Sequence, residues 1–288
     1  MTSSPPPQPD PGAREVPTCY RHPKREAYVR CTRCEKHICP DCMREAAVGH
    51  QCVECVADGQ RGIRQARTVF GGKVTTAPYV TYVLLVLMGL GFVVQMADPQ
   101  VTGAFGMAGA PVAMGEWYRM ITAAFLHGGI GHLLLNGFVL FVFGRQLEAA
   151  LGHGRYLSLW LLSALGGSVL TLLASPLGQL SVGASGAIFG LVGAILVMSR
   201  RLRLDTRFLL VLVAVNLVFT FLVPQISWTA HIGGLVSGLL LGAVYSYLPT
   251  AQNGGSPQAR TLVHVVATAG FAVLLLALAV AGAVFALG

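Results

Sequence analysis

Charge, and acid above all, is what this sequence has least of. Twelve Asp and Glu stand among 288 residues, and all charged residues together make up 11%. A soluble domain carries about a quarter. With 54% hydrophobic residues and a mean hydropathy of +0.64, the chain falls outside the soluble globular class. Cysteine is absent after Cys55, so any thiol chemistry belongs to the first part of the chain. There is no His-Glu-x-x-His, and no pair of aspartates stands in apolar sequence. Metalloprotease and aspartyl-protease mechanisms therefore have no residues to use. No hydrophobic stretch follows the Pro-, Ser- and Gln-rich residues 1–17. They read as a disordered tail and not as a signal peptide, so the N-terminus is expected to be retained.

The charge that is present falls unevenly. Residues 1–73 hold 12 Lys/Arg and 8 Asp/Glu, and residues 74–288 hold 8 and 4. A polar head thus precedes an apolar body. The body divides into seven spans: Tyr79 to Met96, Gly131 to Leu147, Tyr156 to Ala174, Ser185 to Met198, Phe208 to Val223, Trp228 to Leu248, and Leu262 to Leu287. The fourth is shorter than the roughly 20 residues that cross a hydrocarbon core. It is expected to begin below the surface, with the loop before it shielded by protein. Arg145, Arg155, the cluster Arg200, Arg201, Arg203 and Arg207, and Arg260 all fall on the side of the basic head. The turns Ser175 to Ala184 and Pro224 to Ser227 on the other side carry no charge. The positive-inside rule then puts the head in the cytoplasm and the C-terminus outside, in a multi-pass protein of the cell membrane. The Gly-rich, aromatic loop Ala97 to Met120 is expected to lie in the membrane interface.

All seven cysteines lie in the head, with His22 three residues after Cys19. The pairs are Cys19/His22, Cys31/Cys34, Cys39/Cys42 and Cys52/Cys55, each with two residues between. Eight such ligands suit two structural zinc ions. A reducing compartment and an odd cysteine count both argue against disulfides. The pairs can share metals in an interleaved way, first with third and second with fourth, or in sequence. His37 and His50 are spare ligands. Tyr20, Tyr28, Val29, Ile38 and Val48 are most of the apolar material, so metal would supply much of the folding energy. The modest basic excess, mixed with acids, speaks against nucleic acid as partner. The linker after the head is basic and suited to anionic lipid.

Two stretches organise the body: Gly183-Ala184-Ser185-Gly186 and Ala230-His231-Ile232-Gly233-Gly234. Serine is a poor nucleophile without an adjacent base. Gly186, Gly190 and Gly193 line one face of the fourth span. Gly234 and Gly238 lie on the His231 face of the sixth. Glycine faces allow two helices to approach until their backbones nearly touch, which is what a Ser-to-imidazole hydrogen bond needs. His132 and Asn136, four apart on the second span, can point two donors at one developing negative oxygen. His127 lies off that face and reads as a brace for the preceding loop. Glu148 and Arg155 bracket an inner turn and can form a structural ion pair. No Asp or Glu is placed to complete a triad, so the imidazole would be oriented by packing or by a ring. The discontinuous apolar runs would also suit a transporter, but no inverted repeat and no acidic gate accompany them.

Glu116-Trp117-Tyr118-Arg119, His127 and His132 with Asn136, the Gly-Ala-Ser-Gly stretch, and Ala-His with Gly234 and Gly238 agree in order and spacing with one family. From about Val80 to Tyr247 the chain resembles the rhomboid intramembrane serine proteases. The resemblance implies an all-α polytopic protein with a six-helix core and, here, a seventh C-terminal helix. It implies Ser185 as nucleophile, His231 as base, and an oxyanion site from His132, Asn136 and the Ser185 N–H, with no catalytic cofactor. Phe189, where many members have tyrosine, keeps a ring against His231. The substrates implied are other membrane proteins; the alternative is an inactive relative that only binds them. The head resembles the B-box and related cross-brace zinc fingers, which mostly contact protein. The organisation expected is a tail (1–17), a zinc-finger domain (18–60), a basic linker (61–78), the protease core (79–248), and a linker with the seventh span (249–288).

Overall fold

The computed structural model describes residues 16–61, 66–75, 77–223, 226–248 and 256–288. Of the expected tail, residues 1–15 lie outside the described residues, as do 249–255 of the last linker. Pro17 is tied in: its carbonyl accepts from the Ala27 N–H at 2.8 Å. The chain separates into two compact units, Met1–Gln65 and Ala66–Gly288.

The first unit is built from short antiparallel pairs. Thr18–Cys19 pairs with His22–Glu26, Val29–Arg30 with His37–Ile38, and Met43–Glu45 with His50–Cys52, before the helix Val53–Arg61. Turns between these strands present the first three Cys and His pairs, and the step from the last strand into the helix presents Cys52 and Cys55. Its interior is mostly sulfur: Cys19, Cys31, Cys39, Cys42 and Cys52 are buried together with Ala27 and Ile38. Of the apolar residues expected to fill it, Tyr28, Val29 and Val48 are instead exposed. A unit this small has too little interior for them once the thiols occupy its centre.

The second unit is all helical. Its long helices are Tyr79–Ala97, Ile130–Leu151, His153–Ala174, Ser185–Arg201, Arg207–Leu222, Trp228–Tyr247 and Pro257–Leu287. Five of them are long and apolar enough to cross a membrane; Ser185–Arg201 and Arg207–Leu222 are shorter. This is a multi-pass membrane protein. His153–Ala174 is the central post, 67% buried, against 22% for Tyr79–Ala97. It packs against Ser185–Arg201 and Trp228–Tyr247 through small residues. A Cβ on Gly167 would meet the Ala230 carbonyl at 2.7 Å, and Gly190 faces Ser163. The outer helices present Leu, Val and Phe to the lipid side, as a bilayer solvent permits.

The loop after the first long helix is not irregular. It contains the short helices Gln100–Phe105, Gly109–Ala113 and Arg119–Thr122. Buried Arg119 ties them together, donating to Glu116 at 2.7 Å and to the carbonyls of Gly103 and Gly106 at 2.5 and 3.0 Å. Hydrogen bonds from Tyr118 and Arg119 hold the Glu116 carboxyl below its ordinary range.

Glu148 and Arg155 do not pair. Glu148, wholly buried, accepts from the N–H groups of Val80 and Thr81 at 2.9 and 2.8 Å and from the Thr81 hydroxyl at 2.7 Å. It thus caps the start of the Tyr79–Ala97 helix from 67 residues away, where four N–H groups lack intrahelical partners. His153 Nδ1 lies 2.5 Å from Oε1, the oxygen that also accepts from Val80. Arg155 turns to the Phe70 carbonyl at 2.9 Å, and Phe70 itself is buried in the body.

Candidate active site

Ser185 opens its helix, and the loop before it is pinned at several points. Met107 and Ser181 exchange two backbone hydrogen bonds at 2.9 and 2.8 Å, and Gly183 N–H donates to the Ala123 carbonyl at 2.9 Å. Gly183 has φ +130°, a region that L side chains rarely adopt. A Cβ there would lie 2.6 Å from His132 Cε1 and 3.6 Å from Ser185 Oγ. The His132 ring and the Ser185 hydroxyl therefore face each other across the space that glycine leaves. As the first helical residue, Ser185 also has an N–H without an intrahelical acceptor.

The Trp228–Tyr247 helix is started by Ser227, whose side chain accepts from Ala230 N–H. One turn in, buried His231 places Nε2 2.7 Å from Ser185 Oγ. The glycine faces make this approach possible. A Cβ on Gly234 would strike the Gly186 carbonyl, and one on Gly238 the Gly190 carbonyl. Phe189, one turn after Ser185, stacks on the imidazole at 4.2 Å and 18°. On its other side His231 Nδ1 meets Thr220 Oγ1 at 2.6 Å.

Asn136 is buried one turn after His132, and its Nδ2 has no hydrogen-bond partner among the described residues. His132 Nδ1 accepts from Gly128 N–H at 3.3 Å. The His127 ring stands edge-on to His132 at 5.2 Å. His127 meets the preceding helix through its backbone, whose N–H and carbonyl bond to the Gln95 side chain at 2.7 and 3.3 Å. A cavity of about 30 Å³ lies behind the serine loop, bordered by Met120, Ser168, Gly183, Gly186 and Ala230. It has room for one or two waters. Sequence reasoning did not find Thr220 or Gln95. Their signal was polarity inside an apolar run, which marks a group that needs a partner but does not name it.

In the first unit the cysteines and histidine gather as two sets of four. Cys19, His22, Cys39 and Cys42 form one, and Cys31, Cys34, Cys52 and Cys55 the other, with ligand atoms within 4.8 Å of one another in each. The pairs therefore interleave, and His37 and His50 belong to neither set. His22 Nδ1 lies 3.7, 3.3 and 3.4 Å from the sulfurs of Cys19, Cys39 and Cys42, and Cys34 and Cys52 are 3.8 Å apart. Thiolates around a tetrahedral metal with bonds of about 2.3 Å stand about 3.8 Å apart, so both sets fit one. Burial pushes the Cys19 thiol up, but hydrogen bonds from Cys39, Arg21 and His22 outweigh it and bring it to about 6. Burial and the neighbouring Cys19 and Cys39 push Cys42 up to about 11. Such a set holds protons that a metal would displace.

Residues 114–248 match a family model described as the Rhomboid domain. Over 205 residues the chain is 36% identical to Rhomboid protease GluP of Bacillus subtilis (strain 168), covering 67% of this chain and 40% of that protein. It is 39% identical over 135 residues to Putative rhomboid protease YdcA of the same organism, covering 45% and 68%. It is 38% identical over 148 residues to RHOMBOID-like protein 5 of Arabidopsis thaliana, covering 48% and 47%. The chain thus spans less than half of two of these relatives and about two thirds of the other.

Proposed function

Because this chain belongs to the rhomboid family, we propose that it is an intramembrane serine endopeptidase with Ser185 as nucleophile and His231 as general base. The observation that carries the reading is the 2.7 Å contact of His231 Nε2 with Ser185 Oγ at the mouths of two closely packed helices. A substrate segment must unwind first, because a helical peptide bond is shielded by its own hydrogen bonds. His231 takes the Ser185 proton as the hydroxyl attacks the scissile carbonyl. Asn136 Nδ2, the His132 ring and the Ser185 N–H receive the oxyanion. His231 then protonates the leaving amine, and water hydrolyses the acyl-enzyme. The substrates are membrane proteins, cut in or beside their spans. The body is a six-helix core, Tyr79 to Leu248, with a seventh helix after it. The head and the Arg200 to Arg207 turn face the cytoplasm, and the C-terminus lies outside.

A serine-directed fluorophosphonate tests this reading directly. Mass spectrometry of the labelled protein in detergent is expected to find the adduct on Ser185 and to lose it in His231→Ala. Wild-type protein that stays unlabelled at Ser185 would end the serine-protease reading.

The two Cys/His sets hold structural zinc, one ion each, in a domain that contacts another protein. Metal analysis of the full chain is expected to return about two zinc ions. One ion, or a head whose fold survives a strong chelator, would overturn this. Protons and zinc compete for the same thiolates, so the metal is retained at neutral pH and released as the pH falls.

A further inference from the structure

Thr220 is one of only two buried residues on the Arg207–Leu222 helix, the other being Leu209. Its hydroxyl meets two partners, the Asn216 carbonyl at 2.8 Å and His231 Nδ1 at 2.6 Å. We infer that Thr220 is a positioning residue that fixes the protonation pattern of His231, standing where a triad would place a carboxylate. The inference rests on the serine-protease reading above.

A threonine hydroxyl has one proton to give, and a carbonyl only accepts. Bonded to the Asn216 carbonyl, Thr220 donates there, so toward His231 it is an acceptor. The neutral imidazole must then carry its proton on Nδ1. Nε2 is left with its lone pair, and the 2.7 Å contact to Ser185 runs from the serine hydroxyl to the ring. That is the polarity nucleophilic attack needs. When Nε2 takes the serine proton, the ring becomes an imidazolium with both nitrogens protonated. Thr220 Oγ1 continues to accept from Nδ1 and faces the new positive charge with its lone pair. When Nε2 passes the proton to the leaving amine, the ring returns to the Nδ1–H form. With Nδ1 unpartnered, the ring is free to hold its proton on Nε2, and in that form it cannot act as base.

No acid competes for this role. The chain has no Asp or Glu after Asp205, and the carboxylate of Asp205 accepts from the Arg207 N–H at the far end of the helix that carries Thr220. The ring face is covered by Phe189, which sets the plane of the imidazole but not which nitrogen is protonated. Stacking and the Nδ1 acceptor therefore do separate jobs.

The test compares Thr220→Val, which keeps the shape and loses the hydroxyl, with Thr220→Ser, which keeps the hydroxyl. Thr220→Val is expected to lower kcat, and the rate of fluorophosphonate labelling of Ser185, roughly 10- to 100-fold with KM nearly unchanged. That is part of the ~100- to 10,000-fold a positioned base contributes. Thr220→Ser is expected to stay within a few-fold of wild type. Nitrogen NMR of histidine-labelled protein, with His231 assigned by its loss in His231→Ala, is expected to find Nδ1 protonated in wild type and a mixture in Thr220→Val. Wild-type protein with the His231 proton on Nε2 would overturn the inference even if the valine variant fails to fold. So would valine and serine variants that are equally slow, or a valine variant as fast as wild type. Absence of Ser185 labelling in wild type is a different result and removes the underlying protease reading instead.

Discussion

Ser185→Ala protein is expected to cleave a membrane substrate in detergent at less than about 1/10,000 of the wild-type rate. His231→Ala should fall as far, and the double variant should fall no further, because in the proposed mechanism nucleophile and base act as one unit. The reason lies in the Ser185–His231 contact at 2.7 Å: either partner alone is chemically idle. Folding should be nearly unaffected in Ser185→Ala, since the side chain is only half-buried and small. Thermal unfolding followed beside activity separates the two effects. With Asn136 as a proposed oxyanion donor, Asn136→Ala is expected to lose on the order of 100-fold. Cleavage by Ser185→Ala at the wild-type rate would end the serine-protease reading, and wild-type protein that binds membrane proteins without cleaving them would leave an inactive relative as the better account.

The largest expected loss of stability is at Glu148. Its Oε1 accepts from Val80 N–H beside His153 Nδ1, and its Oε2 accepts from the N–H and hydroxyl of Thr81, in a site where the carboxylate has no solvent exposure. Glu148→Ala strands Val80 and Thr81 N–H groups at the start of a helix. Unpaired buried donors cost about 1–3 kcal/mol each, so the variant should lose about 3 kcal/mol or more. Glu148→Gln keeps one acceptor oxygen and should lose less. Denaturant unfolding in mixed micelles measures both, and an alanine variant as stable as wild type would contradict the role. Arg155→Gln should cost much less, since its bond at 2.9 Å is to one carbonyl and no carboxylate pairs with it.

Glu148 also shows where reading residues in order reached its limit. Glu148 and Arg155 stand seven apart with opposite charges, and an ion pair is the natural expectation. The fold instead sends Glu148 to residues 67 and 68 positions earlier and Arg155 to one 85 positions earlier. Pairings of that kind depend on which helix ends meet, and side-chain spacing along one helix carries no record of it. Thr220 is the same case: eleven positions before His231 and on a different helix, its relation to the ring exists only after the helices pack.

Much else was legible because it follows from chain-local chemistry. Each of the seven apolar stretches coincides with a helix among the described residues, five of them long and apolar enough to cross a membrane, since in lipid a backbone must satisfy its own hydrogen bonds. Glycines at three- and four-residue steps marked the faces of Ser185–Arg201 and Trp228–Tyr247 that meet, because only residues without a side chain can sit where backbones touch. Four ligand pairs, each with two residues between its members, marked eight ligands, but spacing alone left open which pairs share a metal. Three short strand pairings, each closing a loop, decided on first with third and second with fourth. The sequence by itself thus determined where polar groups stand inside apolar runs and which faces are smooth enough to approach. The tertiary structure alone decided who meets whom across those faces: Thr220 with His231, Gln95 with His127, Glu148 with Val80 and Thr81. The physical reason is that helix periodicity orders neighbours three and four residues apart, whereas a buried polar group takes whichever partner the packing brings within 3 Å.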